Sequence, residues 1–181
     1  MKPWHFRKFQ QVMDEVQPRT IAEIGTHDGR TAIQMANYAL HISSNDVEYT
    51  GYDAFGAITP SESLNAEING KGLGSKNEAI RWLNKAKKRS AGRFNYTLIE
   101  GFTSDTLLAP KAYDFIYIDG GHSYETVKHD YTMVKNSRAI IFDDWYIPEV
   151  GQLLKELESE HDIEYVELSD DSRQVAILRN Y

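Results

Sequence analysis

The stretch TIAEIGTHDGRTAIQMANYAL, residues 20–40, carries the reading on which the fold turns. Residues 20–25 are a short apolar run that enters a glycine turn, and residues 31–40 are apolar enough on one side to form a helix packed back over that run. A strand feeding straight into a returning helix is the building unit of a parallel sheet. Upstream, Phe6, Phe9, Val12, Met13 and Val16 are spaced for one helical face, so residues 4–16 read as a leading helix that Pro18 ends. Downstream the alternation continues, with strands at 47–53, 95–101, 114–119 and 138–144. Helices are expected at 76–90, 103–109 (capped by Thr103 or Ser104), 124–134 and 148–159, the last opened by Pro148. Two closing strands, 164–168 and 173–179, joined by the SDDS turn, read as a hairpin that places one antiparallel strand in the sheet. The predicted fold is α/β: a doubly wound, mostly parallel seven-stranded sheet with a C-terminal antiparallel hairpin. Residues 54–75 interrupt the pattern without periodicity and read either as a lid closing over a ligand or as a disordered loop.

At 181 residues the chain is expected to form a single domain, residues 1–181, large enough for a full core. Its longest apolar runs are too short to span a bilayer, and the N-terminus lacks the apolar segment of a secretory signal, so a cytoplasmic protein with no membrane partner is expected. There is no cysteine, which excludes disulfides, thiolate metal sites and a thiolate nucleophile. A net charge of −7 argues against nucleic acid as the main partner. One basic segment, RWLNKAKKRSAGR at 81–93, runs against that average and reads as a solvated helix face or as a site for an anionic substrate or partner. The oligomeric state is open, a homodimer being one option.

In an open doubly wound sheet, ligands bind beyond the carboxyl ends of the strands, near the point where strand order reverses. Here every one of the first five strands ends in an acid: Glu23, Asp53, Glu100, Asp119 and the pair Asp143–Asp144. Carboxylates gathered on one sheet edge repel each other, so they point to ligands with hydroxyls, ammonium groups or a cation. The first loop, EIGTHDGRT at 23–31, lacks the Gly-x-Gly-x-x-Gly of a dinucleotide site, because His27 stands at the second glycine, and it is not a phosphate-binding P-loop. What remains is an acid followed by Gly-x-x-x-Gly.

That loop, with Asp53 ending the second strand, resembles the cofactor site of the Rossmann-like class I S-adenosylmethionine-dependent methyltransferases. The resemblance implies that Gly25 and Gly29 let the chain turn past the methionine part of S-adenosylmethionine. It implies too that Glu23 receives the ammonium group, that Asp53 takes the two ribose hydroxyls and that Phe102 lies against the adenine, with Asp119 close by. The second half, IDGGHSYETVKHDY at 118–131 followed by IIFDDW at 140–145, resembles the metal-dependent O-methyltransferases of small molecules related to the macrocin and catechol enzymes. Carried over, Asp119, Asp143 and Asp144 would be ligands of Mg²⁺ or another divalent cation, holding and activating a hydroxyl of a small-molecule acceptor.

In several relatives of that type the loop reads Asp-Gly-Asp, and the second acid is the general base; here that position is Gly121. His122 is the nearest replacement, since an imidazole is matched to taking a proton near neutral pH. His122 reads as a base or substrate contact, as a structural hydrogen-bonding residue or as a metal ligand. The acids have plainer readings too: Asp119 as a cap for the helix at 124, and Asp143 or Asp144 as turn residues before Pro148. Tyr124 and Trp145 either line an acceptor pocket or pack. The alternatives to a small-molecule enzyme are a nucleic-acid methyltransferase, which the Asp119-Gly-Gly-His sequence disfavours, and a cofactor-binding relative with non-methylating chemistry.

Overall fold

The computed structural model describes residues 5–56, 72, 74–167 and 174–181. Seven strands form one sheet: β1 (Thr20–Ile24), β2 (Val47–Asp53), β3 (Phe94–Glu100), β4 (Phe115–Ile118), β5 (Ala139–Phe142), β6 (Ile163–Glu167) and β7 (Gln174–Arg179). Their spatial order is β3-β2-β1-β4-β5-β7-β6, and β7 alone runs antiparallel to its two neighbours. The sequence expectation of a mostly parallel sheet with a closing hairpin is met, while the SDDS turn itself and most of 54–75 lie outside the described residues. Among the described residues no helix is long and apolar enough to cross a membrane.

Six described helices cover the two faces: α1 (His5–Val16), α2 (Arg30–Ile42), α3 (Lys76–Arg89), α4 (Thr103–Thr106), α5 (Tyr124–Val134) and α6 (Pro148–Leu157). The five apolar residues spaced along α1 are all buried, and the helix stops where Gln17 turns left-handed, at φ 47°, and donates its N–H to the Met13 carbonyl at 2.8 Å. Ser75 caps α3 by accepting from the Glu78 N–H, and Ser123 caps α5 by accepting from the Thr126 N–H. That second cap corrects one reading: Asp119 does not cap the helix at 124. Neither Thr103 nor Ser104 caps α4; the capping position belongs to Phe102, and the helix ends at Thr106 because Leu107 leaves at φ −107° and ψ 68°.

Strand alternation sorts the core into two layers. Ile21, Tyr49, Phe115, Tyr117, Ala139, Ile141, Val175 and Ile177 face α1, α2 and α3, whereas Ala22, Ile24, Ile116, Ile118, Ile140, Phe142, Ala176 and Leu178 face α5 and α6. Both faces of each central strand are therefore apolar, which is why these strands read as continuous hydrophobic runs. The chain winds outward from β1 through β2 to β3, then crosses back to place β4 on the other side of β1. That reversal puts the carboxyl ends of β1 and β4 side by side.

Candidate active site

Gly25 is the point where the two ends meet. It leaves β1 at φ 89°, and a Cβ built there would stand 1.9 Å from the Asp119 carbonyl oxygen, so only glycine lets β1 and β4 close this tightly. Gly29 has a packing contact as well: at φ 73° it opens α2, and a Cβ would stand 2.8 Å from the Ala79 Cα, so its space is taken by α3. Between them His27 adopts φ 50°, held by its backbone N–H donating to Asp53 Oδ2 at 2.7 Å and by its Nε2 lying 3.0 Å from the Gly72 carbonyl. Asp53 also accepts from the Phe55 N–H at 2.7 Å through Oδ1. Each of its oxygens spends one lone pair on the loop and keeps capacity for a further donor.

Glu23 is 1% exposed on β1 and accepts a hydrogen bond from the Tyr49 hydroxyl at 2.5 Å, with Thr26 Oγ1 3.3 Å from that same hydroxyl. Burial pushes the Glu23 carboxyl well above the ordinary glutamate range; the Tyr49 hydrogen bond opposes this, and the charges of Asp119 and Asp53 add to it. An acid whose folded pKa is raised contributes stability that is complete below its unfolded pKa, about 4.3, and is lost as pH rises through the folded value. Glu23→Gln removes that loss while keeping an oxygen for Tyr49. The ligand-free variant is therefore expected to gain on the wild type in thermal stability as pH is raised from about 4 to 8, measured by scanning calorimetry. A difference that stays constant across that range would mean Glu23 is ionised in the folded chain.

At the end of β4 and β5 the acids separate. Tyr117 donates to Asp143 Oδ2 at 2.7 Å and lies 3.3 Å from Asp119 Oδ2, drawing Asp143 toward the sheet. Asp144 takes a left-handed conformation, φ 54°, and its carboxylate Oδ2 lies 3.2 Å from His122 Nε2. That separation suits an ion pair but is misaligned for a hydrogen bond, and neither ring nitrogen of the buried His122 has a hydrogen-bond partner among the described residues. Asp119, His122 and Asp144 each offer a donor atom within 4.8 Å of the others. Among the described residues this is the group that could hold a metal ion, and it contains His122 where the sequence reading has Asp143. Two carboxylates and an imidazole fit a divalent cation, to which His122 would offer one of its ring nitrogens. Asp144 also turns the chain, since its carbonyl accepts from the Ile147 N–H at 2.9 Å.

Other predicted positions fall nearby or elsewhere. Phe102, 41% exposed, stands just past β3 with its ring open to solvent. Glu100 pairs with Lys76 at 2.7 Å and takes no part in the group. Tyr124 donates to Glu156 at 2.7 Å, tying α5 to α6 instead of lining the site. Trp145 packs edge-on against Tyr165, at 5.1 Å, along a groove of about 960 Å³ between α6 and β6. In the basic segment Arg81 pairs with Glu78 and Lys85 sits 3.9 Å over the Trp82 ring, so part of its charge is engaged along the helix itself. The sequence reading missed Tyr49 and Tyr117, and also Asp130, which is fully buried on α5 behind the 119–122 loop, with Oδ2 3.5 Å from where a Gly120 Cβ would stand. The one signal available for the tyrosines is a polar ring inside an otherwise apolar strand.

A family model for a methyltransferase domain matches residues 22–145. No curated protein sequence matches the chain. Among solved structures, the O-methyltransferase TomG from Streptomyces achromogenes, in complex with SAM, aligns at TM-score 0.62 and 14% identity over 100% of this chain and 82% of its own. An O-methyltransferase from Bacillus cereus in complex with SAH aligns at 0.60 and 16%, over 99% of this chain and 82% of its own. The cofactor-bound Rv0187 from MTB aligns at 0.64 and 17%, over 99% and 80%. At these identities the likeness is one of fold.

Proposed function

We propose that this chain, which belongs to the methyltransferase-domain family, transfers a methyl group from S-adenosylmethionine to a hydroxyl oxygen of a small molecule, with a divalent cation assisting. The observation that carries the reading is the meeting of Asp119, His122 and Asp144 within 4.8 Å at the strand-order reversal, where Gly25 brings the end of β1 against Asp119. A cofactor carrying an ammonium group and a ribose needs an acid at each end, and Glu23 and Asp53 stand at the ends of adjacent strands. Glu23 would receive the ammonium, whose charge favours the ionised carboxylate that burial disfavours. Asp53 would accept from the ribose hydroxyls with the lone pairs its loop contacts leave. Phe102 would cover the adenine.

In the other half of the site, Asp119 and Asp144, with His122 or Asp143, would hold the cation, which when bound lowers the pKa of an acceptor hydroxyl and orients it. Where Asp143 is the third ligand, His122 would be left to take the proton that the hydroxyl gives up as its oxygen forms the new bond to carbon. The balance is simple: the carbon–sulfur bond breaks, a carbon–oxygen bond forms, and one proton moves to nitrogen.

The experiment is a screen of hydroxylated metabolites for transfer of labelled methyl, run with EDTA and with Mg²⁺ or Mn²⁺ restored. Transfer that falls at least about tenfold with chelator and returns with metal is the expected result. Better restoration by Mn²⁺ than by Mg²⁺ would mark the His122 imidazole as a ligand, whereas equal restoration is expected where carboxylates alone hold the ion and His122 is left as the base. Transfer indifferent to EDTA would leave the acids to position His122 alone.

A further inference from the structure

We infer that Tyr49 and Tyr117 are positioning residues, two hydroxyls that rise on the same face of the sheet and set the carboxylates on which the two halves of the site depend. The inference rests on the methyl-transfer reading above and adds residues that neither the motif nor the fold assigns.

Strand alternation supplies the geometry. Ile21, Tyr49, Tyr117 and Ile141 point toward α1, α2 and α3, and two residues beyond Ile21, Tyr117 and Ile141 the same face carries Glu23, Asp119 and Asp143. Two residues of strand advance about 6.6 Å, close to the reach of a tyrosine side chain. A tyrosine in register with the residue two before a strand-end acid therefore brings its hydroxyl level with that acid. Both tyrosines stand at that register. Tyr49 pairs with Ile21 across β2 and β1, and its hydroxyl meets Glu23; Tyr117 pairs with Ile141 across β4 and β5, and its hydroxyl meets Asp143.

Each ring is 1% exposed, so a phenylalanine would satisfy packing equally well and the hydroxyl is the part that needs explaining. Phe9 from α1 stands edge-on to Tyr117 at 4.8 Å, which keeps its ring from swinging. A hydroxyl has one proton to donate. Tyr117 gives it to Asp143 at 2.7 Å and stays 3.3 Å from Asp119, so Asp143 is held toward the sheet while Asp119 remains with His122 and Asp144. Tyr49 in the same way holds Glu23 where the ammonium would arrive.

The two roles are separable because the tyrosines sit under different acids. Tyr49→Phe and Tyr117→Phe each remove one oxygen from the buried core, and both are titrated calorimetrically with S-adenosylhomocysteine and with Mn²⁺ alongside the wild type. Losing a hydrogen bond to a charged group predicts a roughly tenfold change in affinity. Tyr49→Phe is expected to weaken S-adenosylhomocysteine about tenfold with Mn²⁺ within about twofold, and Tyr117→Phe to do the reverse. In an Asp143→Asn background, where the hydroxyl keeps only its longer contact with Asp119, Tyr117→Phe is expected to add a smaller loss than it causes in the wild type. Wild-type affinities in both single variants overturn the inference. So does parallel loss of both ligands in each variant, which would mark the tyrosines as general core residues. A wild-type chain that binds neither ligand brings down the methyl-transfer reading and this inference with it, whereas a wild type that binds both leaves the variants to decide the role of the tyrosines alone.

Discussion

Asp53→Ala is expected to raise the dissociation constant for S-adenosylmethionine by at least about a hundredfold, to the edge of detection by calorimetry. The magnitude follows from two charge-assisted hydrogen bonds to the ribose hydroxyls, each worth about 1.5–3 kcal/mol. Asp53 has a second task that the variant also removes. Its two oxygens accept from the backbone N–H groups of His27 and Phe55, both at 2.7 Å, and so hold His27 at φ 50°. The His27 N–H is exposed, and water can replace the carboxylate there, so the stability loss is expected to be modest, about 1 kcal/mol or roughly 2–4 °C in Tm. A large affinity loss with a small shift in Tm separates ligand recognition from loop support. Unchanged binding in Asp53→Ala would remove the cofactor assignment.

Asp53 could be singled out from the chain alone because strand ends are legible where strand neighbours are not. The alternation of apolar runs and helical faces places β2 at 47–53 and the other strands within one or two residues, because a parallel sheet buries both faces and leaves long apolar signatures. Each acid that ends a strand is therefore visible in the chain. Which acid faces which is a matter of register, and register is a property of the assembled sheet. Tyr49 lies 26 positions from Glu23 in the chain, and the contact between them exists only because β2 pairs with β1 in the register that sets Tyr49 opposite Ile21.

Backbone conformation hides the rest. Asp143 and Asp144 look equivalent as a pair of acids, yet Asp144 turns left-handed, at φ 54°, so the two carboxylates part, one to Tyr117 and one to His122. Nothing in the letters distinguishes them, since aspartate tolerates that conformation without announcing it. Gly29 shows the opposite case: the glycine is legible, but its reason is the Ala79 backbone on α3, which arrives from the far side of a stretch that has no periodicity. A motif glycine can therefore be required by a helix whether or not a ligand also needs it.

His122→Ala is the second large effect, expected to lower kcat by about a hundredfold to ten-thousandfold, the range for a lost general base, with S-adenosylhomocysteine affinity within about twofold. Residues 120 and 121 are both glycines, so the loop offers no carboxylate beyond Asp119 that could take over the proton. His122 is 8% exposed, and its Nε2 lies 3.2 Å from the Asp144 carboxylate. A structural histidine and a proton acceptor both lose activity on truncation, so the distinguishing readout is chemical. Imidazole added to the His122→Ala enzyme is expected to restore part of the lost rate if the ring carries the proton, and to do nothing if the ring only supports the loop. Mn²⁺ titration of the same variant reads the remaining role. Affinity within about threefold of wild type leaves Asp119 and Asp144 as the principal ligands, while a loss of about tenfold or more, without imidazole rescue, makes His122 a ligand and moves the base to solvent or to the acceptor itself.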